Sequence, residues 1–119
     1  MKRHGVTFKP HDIVVVSFPF TDSSTKKRRP ALVISSEEFN DNHDQLILAM
    51  ITTAKSSFWR SDIKLRDYAD ANLTVPSIVR LKLFTLEKSM VIRRLGCLSK
   101  KDKNAVNASL KQYMFDPSH

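Results

Sequence analysis

The chain has 119 residues, which is the size of one domain with room for one hydrophobic core. Its 20 lysines and arginines against 12 acidic residues give a formal net charge of +8, which predicts attraction to polyanions such as nucleic acid or an acidic protein. The longest apolar run, residues 46–51, is far too short to span a bilayer, so we predict no membrane partner.

Histidine and cysteine usage argues against a metal, a cofactor or a disulfide. The 4 histidines lie far apart, and none of them forms a pair with the short spacing of a metal site, so we predict neither metal nor cofactor. The sole cysteine, Cys97, follows Gly96 in an apolar run and is predicted to lie in the core. One cysteine permits no internal disulfide and fits a reducing cytosol, so we expect a cytoplasmic protein.

The N-terminal residues 1–11 are basic and are predicted to be mobile, with a single domain spanning 12–116. Residues 12–18 are β-branched and strongly apolar without a helical period, and residues 45–52 are apolar throughout, so we predict two strands, of which 45–52 is central in the sheet. Between them the second strand is predicted at 30–34, buried on both faces because residues 31–34 are all apolar, and proline, which has no N–H for a ladder, suits a strand's first residue. Residues 37–44, EEFNDNHD, are predicted as a polar turn.

The second half of the chain alternates polar and apolar residues. Further strands are predicted at 61–65, 78–86 and 90–98, with a single helical turn at 66–72. In 78–86 we expect Arg80, Lys82 and Phe84 to share a solvated face. A helix from Ser99 to residue 115 is indicated by the hydroxyl at its start and by Asp102 in its first turn.

Most strands precede the helix, and no alternation of strands and helices indicates a parallel sheet. This order predicts a mainly β fold, an antiparallel sheet curled into a small barrel with a C-terminal helix. The alternative is an open sheet with the helix laid across one face.

A basic loop separates the first two strands. Lys26, Lys27, Arg28 and Arg29 run directly into Pro30, where the second strand begins. Because Arg29 stands at the rim of a rigid strand, its guanidinium can be aimed at a ligand. The alternative is a solvated loop tip, and such a tip is the commoner role of a charge run.

The motifs DIVVVSFPF, RPALVIS and LILAMITT, followed by PSIVRLKLFTLEKSMVIRRLGCLS and a terminal helix, resemble the PemK/MazF family of toxin–antitoxin toxins. The resemblance covers residues 12–114. It implies an SH3-like barrel of the MazF/CcdB type, and a homodimer. It also implies a metal-independent endoribonuclease that cleaves single-stranded RNA and is restrained by a cognate antitoxin, which the charge of this chain predicts to be acidic.

The resemblance also implies two catalytic residues. The reactive arginine of the family, which precedes Pro-Ala, falls on Arg29, and its threonine, at the end of the third strand, falls on Thr52. The first loop, DSSTKKRR, has no glycine or glutamate, and Asp22 is its only acidic residue. The alternatives are a surface ion pair of Arg29 with Asp22 or Glu37, and a backbone-bonded hydroxyl for Thr52.

Cations and aromatic rings beside these positions suit RNA binding, because cations hold phosphates and rings stack on unpaired bases. The predicted RNA-binding residues are Phe20, Asp22, Lys26, Lys27, Arg28, Thr53 and Trp59. For Trp59 the alternative is packing against its own loop or an oligomer contact. For the whole chain, the alternatives are a barrel toxin that binds a protein such as a topoisomerase, and an inactive homologue that binds RNA or antitoxin.

Overall fold

The computed structural model describes residues 7–17, 27–55 and 59–115. The strands are β1 Asp12–Ser17, β2 Arg28–Val33, β3 Gln45–Thr53, β4 Ile63–Lys64, β5 Ser77–Glu87 and β6 Val91–Cys97. The α-helices are α1 Glu37–His43 and α2 Lys100–Met114, and two short 3₁₀ helices cover Tyr68–Ala71 and Lys88–Met90.

The six strands form one antiparallel sheet in the order β4-β5-β3-β2-β1-β6. The central strands β2 and β3 are the apolar runs that the sequence predicted to be buried. The prediction of a mainly β antiparallel fold with a C-terminal helix is therefore confirmed. Within the described part of the chain the sheet has two edges, formed by β4 and β6.

Alternation along the strands divides the buried side chains into two clusters. Ile13 and Leu32 are fully buried in the first cluster, together with Val106 of α2. Their neighbours Val14 and Ala31 are fully buried in the second cluster. Because successive strand residues point to opposite faces, the two clusters lie on opposite sides of the sheet. We call the side with Val106 the helix face and the other side the far face.

Residues 37–43 form a helix, so the prediction of a polar turn is wrong. Ser36 is its N-cap and accepts a hydrogen bond from the N–H of Phe39 at 3.1 Å, and two glutamates occupy the first turn. Both features stabilise a helix N-terminus. Asn40 is fully buried and donates to the carbonyl of Phe8 at 2.9 Å, which ties α1 to the segment before β1.

Residues 7–11, which precede β1, pack against the sheet. Phe8 is 5% exposed and belongs to the far-face cluster. Lys9 donates its N–H to Asp12 Oδ2 at 2.9 Å, and His11 donates its N–H to the carbonyl of Val33 at 2.8 Å.

Two sequence-based burial predictions are wrong. Phe84 is 8% exposed in the far-face cluster and the Arg80 side chain is 11% exposed, so neither is solvated, whereas Lys82 is exposed as predicted. The apolar neighbours of Phe84 and an acidic partner of Arg80 account for their burial. Cys97 is exposed, because it ends the edge strand β6.

Helix α2 is attached to the sheet through its first turn. Ser99 caps it by accepting from the N–H of Asp102 at 3.2 Å. Asp102 is 1% exposed, and its two carboxylate oxygens accept from the N–H groups of Arg66 and Asp67, both at 2.9 Å. This carboxylate joins α2 to the segment that follows β4.

Candidate functional site

Arg29 and Thr52 lie on neighbouring strands. The pairing of β2 with β3 sets Ala31 opposite Met50. Continuing this alignment by two residues sets Arg29 opposite Thr52, and directly opposed residues of antiparallel strands share a face. Both residues belong by alternation to the far face, and both are half-buried. The register and the alternation thus assign Arg29 and Thr52 to one side of the sheet.

Buried strand segments hold both positions. Arg29 pairs with Val16, which is fully buried, and the β2 residues 31–33 that follow are fully buried as well. Thr52 pairs with Ile78, which is 6% exposed. A side chain anchored on such strands keeps its geometry better than one on a loop.

Alternation along β2 assigns Arg28 to the opposite side of the sheet from Arg29, although both residues line one cleft. It pairs with Ser17, whose alternation places it on the helix face, and Arg93 of β6 pairs there with Val15. Arg28 and Arg93 are exposed and line an open cleft of about 290 Å³. The cleft is also lined by Val15, Arg29, Pro30, Asn72, Leu73, Thr74 and Leu95. The cations of the cleft suit an anionic ligand. Arg93 could not be predicted as part of it from the sequence, because only strand pairing brings Arg93 near β2.

Trp59 is 43% exposed and lies against a buried ion pair. The Arg80 guanidinium carbon is 5.2 Å from the centroid of the indole, and Arg80 Nη2 is 2.9 Å from Asp62 Oδ2. Burial alone would raise the pKa of Asp62, but hydrogen bonds from Arg80 and from the Trp59 N–H outweigh it and hold this pKa below its ordinary value. The hydrogen bond to Asp62 raises the pKa of Arg80, so the pair is ionised at neutral pH.

The remaining predicted site residues divide into two groups. Phe20, Asp22 and Lys26 lie outside the described residues. Lys27 and Thr53 are exposed next to Arg28 and Thr52. The ion pair under Trp59 has no signal in the sequence, since its members are 18 residues apart and meet only when β4 pairs with β5.

Within residues 7–17, 27–55 and 59–115, no three or more histidine, cysteine, aspartate or glutamate side chains gather as a metal site would require. In the same ranges, no helix has the length and apolar character needed to cross a membrane.

Comparison with known families decides what kind of protein carries this site. The model for PemK-like, MazF-like toxins of type II toxin–antitoxin systems matches residues 9–114. The chain belongs to this family. The family resemblance inferred from the sequence is thereby confirmed. A comparison with curated proteins finds no match.

Solved structures of MazF proteins share the fold. An endoribonuclease in complex with its cognate antitoxin, from a mycobacterial species, has a TM-score of 0.71 at 15% identity and covers 89% of this chain and 93% of its own. MazF from Deinococcus radiodurans has a TM-score of 0.69 at 19% identity, covering 92% and 98%. Mycobacterium tuberculosis toxin MazF-mt6 has a TM-score of 0.67 at 20% identity, covering 88% and 98%. At these identities the likeness establishes the fold.

Proposed function

We propose that this PemK/MazF-family toxin is an endoribonuclease that cleaves single-stranded RNA without a metal ion. The observation that carries the proposal is the alignment of Arg29 with Thr52 on the far face of two buried strands. Membership of the family and the fold shared with a mycobacterial endoribonuclease support it.

The reaction uses the 2′-hydroxyl of the RNA itself. Its oxygen attacks the adjacent phosphorus, the bond from phosphorus to the 5′-oxygen breaks, and the proton lost by the 2′-hydroxyl is balanced by one gained at the 5′-oxygen. The products are a 2′,3′-cyclic phosphate and a 5′-hydroxyl. The enzyme must align the attacking oxygen and stabilise a phosphorane that carries two negative charges.

Arg29 and Thr52 are assigned different tasks in this reaction. Arg29 donates two parallel N–H bonds to the phosphate oxygens and offsets the charge that develops there. It acts as an electrostatic clamp, because a guanidinium holds its proton too tightly to serve as an acid or a base. The Thr52 hydroxyl hydrogen-bonds a phosphate oxygen or orients the 2′-hydroxyl.

The neighbouring residues would hold the RNA strand. Lys27 and Arg28 contact phosphates and make the affinity salt-dependent. The other proposed RNA-binding residues are Phe20, Asp22, Lys26, Thr53 and Trp59. A single strand is required, because only unpaired bases can stack on a ring and let the scissile phosphate reach an in-line geometry.

We propose an acidic antitoxin as the regulatory partner and a homodimer as the active form. The net charge of +8 supports an acidic partner, since opposite charge speeds encounter and favours docking. A solved structure of the same fold is an endoribonuclease bound to its cognate antitoxin. The antitoxin would silence the toxin by covering the basic residues beside Arg29.

Incubation of the purified protein with a long single-stranded RNA in EDTA tests the proposal. Cleavage with 5′-hydroxyl and 2′,3′-cyclic phosphate ends is the expected result. Inhibition of a topoisomerase without RNA cleavage would replace the proposal with a binding toxin. Absence of both activities would indicate an inactive homologue.

A further inference from the structure

A buried ion pair joins β4 and β5 on the far face, the side that carries Arg29 and Thr52. β4 pairs with β5 with Ile63 opposite Val79, and continuing by one residue sets Asp62 opposite Arg80. Asp62 Oδ1 accepts from Arg80 Nε at 3.0 Å and Oδ2 accepts from Nη2 at 2.9 Å. The two side chains are 7% and 11% exposed. Such a two-bond contact fixes the plane of the guanidinium.

The same carboxylate holds Trp59 in place. The N–H of Trp59 donates to Asp62 Oδ2 at 2.7 Å, and the N–H of Asp62 donates back to the Trp59 carbonyl at 3.0 Å. The Arg80 guanidinium then lies over the indole, 5.2 Å from its centroid, in a cation–π contact. Trp59 nevertheless keeps 43% of its surface exposed. The indole is thus fixed against a cation on one side and open to solvent elsewhere.

This arrangement lies close to the proposed catalytic residues. Arg80 pairs with Met50, and Ile78, two residues earlier on β5, pairs with Thr52. Residues two apart on a strand share a face and lie about 7 Å from each other. Arg80, which the indole contacts, therefore lies diagonal to Thr52 on the side of the sheet where the scissile phosphate is proposed to bind.

We propose that Trp59 is the stacking platform for one unpaired base next to the scissile phosphate, and that Asp62 and Arg80 are positioning residues that hold it. The inference rests on the proposed function and adds to it a site for one nucleobase. A buried ion pair adds little stability compared with an apolar pair of the same size. The main contribution of Asp62 and Arg80 is therefore to hold the Trp59 ring in a fixed orientation. Stacking of a base on an aromatic ring tolerates any sequence, so the platform contributes affinity rather than base choice.

The test uses a single-stranded RNA of mixed sequence with 2′-O-methyl groups throughout. Without a free 2′-hydroxyl it cannot be cleaved, so binding is measured separately from catalysis. Trp59 is the only tryptophan of the chain, so the intrinsic fluorescence reports on this ring alone. Titration of the wild-type protein quenches the emission. Because the Trp59 variants have no tryptophan, the Kd of every protein is measured from the fluorescence anisotropy of an end-labelled copy of the same RNA: Trp59→Ala raises the Kd about 5- to 150-fold, and Trp59→Phe recovers most of the affinity.

Positioning is tested by combining substitutions. Asp62→Asn weakens binding, and in that background Trp59→Ala raises the Kd less than it does in the wild type, because the ring is already misplaced. Ile92→Ala is the matched control, since Ile92 is 40% exposed on β6, at the other edge of the sheet, and its loss leaves the Kd unchanged. If Asp62→Asn does not fold, the two Trp59 variants still decide the matter, since they change an exposed side chain.

Two results would overturn the inference: titration without quenching, or wild-type affinity in Trp59→Ala. Cleavage of unmodified RNA is scored separately, and there Trp59→Ala raises KM while kcat stays unchanged. If the enzyme cleaves RNA and its KM does not depend on Trp59, the stacking platform is refuted and the nuclease proposal is unaffected. If RNA quenches the fluorescence and the Kd depends on Trp59, but the protein never cleaves RNA, the platform is supported and the nuclease proposal is refuted.

Discussion

Asp102→Ala tests the attachment of α2 to the sheet. The substitution removes a carboxylate that accepts two backbone N–H bonds, each at 2.9 Å, within a residue that is 1% exposed. An amide left without a partner costs about 1–3 kcal/mol, and water can reach part of this half-exposed segment. We therefore expect the free energy of unfolding to fall by about 2–4 kcal/mol. At about 4 °C per kcal/mol for a chain of this size, Tm falls by about 8–16 °C.

Differential scanning calorimetry measures this change. Lys101→Ala is the matched control, because it alters an exposed side chain in the same turn of α2 and should move the free energy of unfolding by less than about 0.5 kcal/mol. Asp102→Asn should fall between the two, because its amide keeps one acceptor oxygen. A Tm for Asp102→Ala within about 2 °C of the wild type would refute the reasoning, since the two amides would then have found other partners.

Two other substitutions test packing and charge. Gly96→Ala would place a Cβ 2.8 Å from the backbone oxygen of Ala71, so we expect a loss of about 1–3 kcal/mol, read from the midpoint of urea unfolding. Asp62→Asn should lower the free energy of unfolding by about 1.5–3 kcal/mol at pH 7, because Arg80 loses its charged partner. The folded-state pKa of Asp62 lies below the ordinary value of about 3.9, so its contribution is complete above that pH and is lost as the pH falls through the folded-state pKa. The difference in the free energy of unfolding between the wild type and Asp62→Asn, measured by urea unfolding, should therefore be smaller at pH 3 than at pH 7. An equal difference at both pH values would contradict the assignment.

The strands were predictable where local composition is decisive. The runs 12–18 and 45–52 are apolar and rich in β-branched residues, which favours strands, and the structure has β1 at Asp12–Ser17 and β3 at Gln45–Thr53. Residues 37–43 lack an apolar period, yet they form α1 because Ser36 caps the helix and Asn40 bonds to Phe8. The Ser36 cap can be recognised in the sequence, whereas the hydrogen bond from Asn40 to Phe8 joins residues 32 positions apart and cannot.

The candidate site was predictable only in part. The place of Arg29 before Pro30 could be read from the sequence, as could that of Thr52 at the end of a strand. The bond from Asp62 to Arg80 and the role of Asp102 could not be read, because each depends on partners that only the folded chain brings together. Arg80 was assigned to a solvated face for the same reason. Alternation predicts which residues share a face, but not which residue of another strand covers it.

Arg28 and Arg29 provide the most direct test of the central claim, because they are adjacent, chemically identical and assigned by strand alternation to opposite faces of the sheet. The measurement is the single-turnover rate of cleavage of a single-stranded RNA in EDTA by Arg29→Ala and Arg28→Ala, each checked for folding by circular dichroism. We predict that Arg29→Ala slows cleavage about 100-fold or more, as expected for the loss of a transition-state donor. Arg28→Ala should weaken RNA binding while leaving the rate at saturating RNA near the wild-type value. Cleavage at the wild-type rate by folded Arg29→Ala would contradict the account.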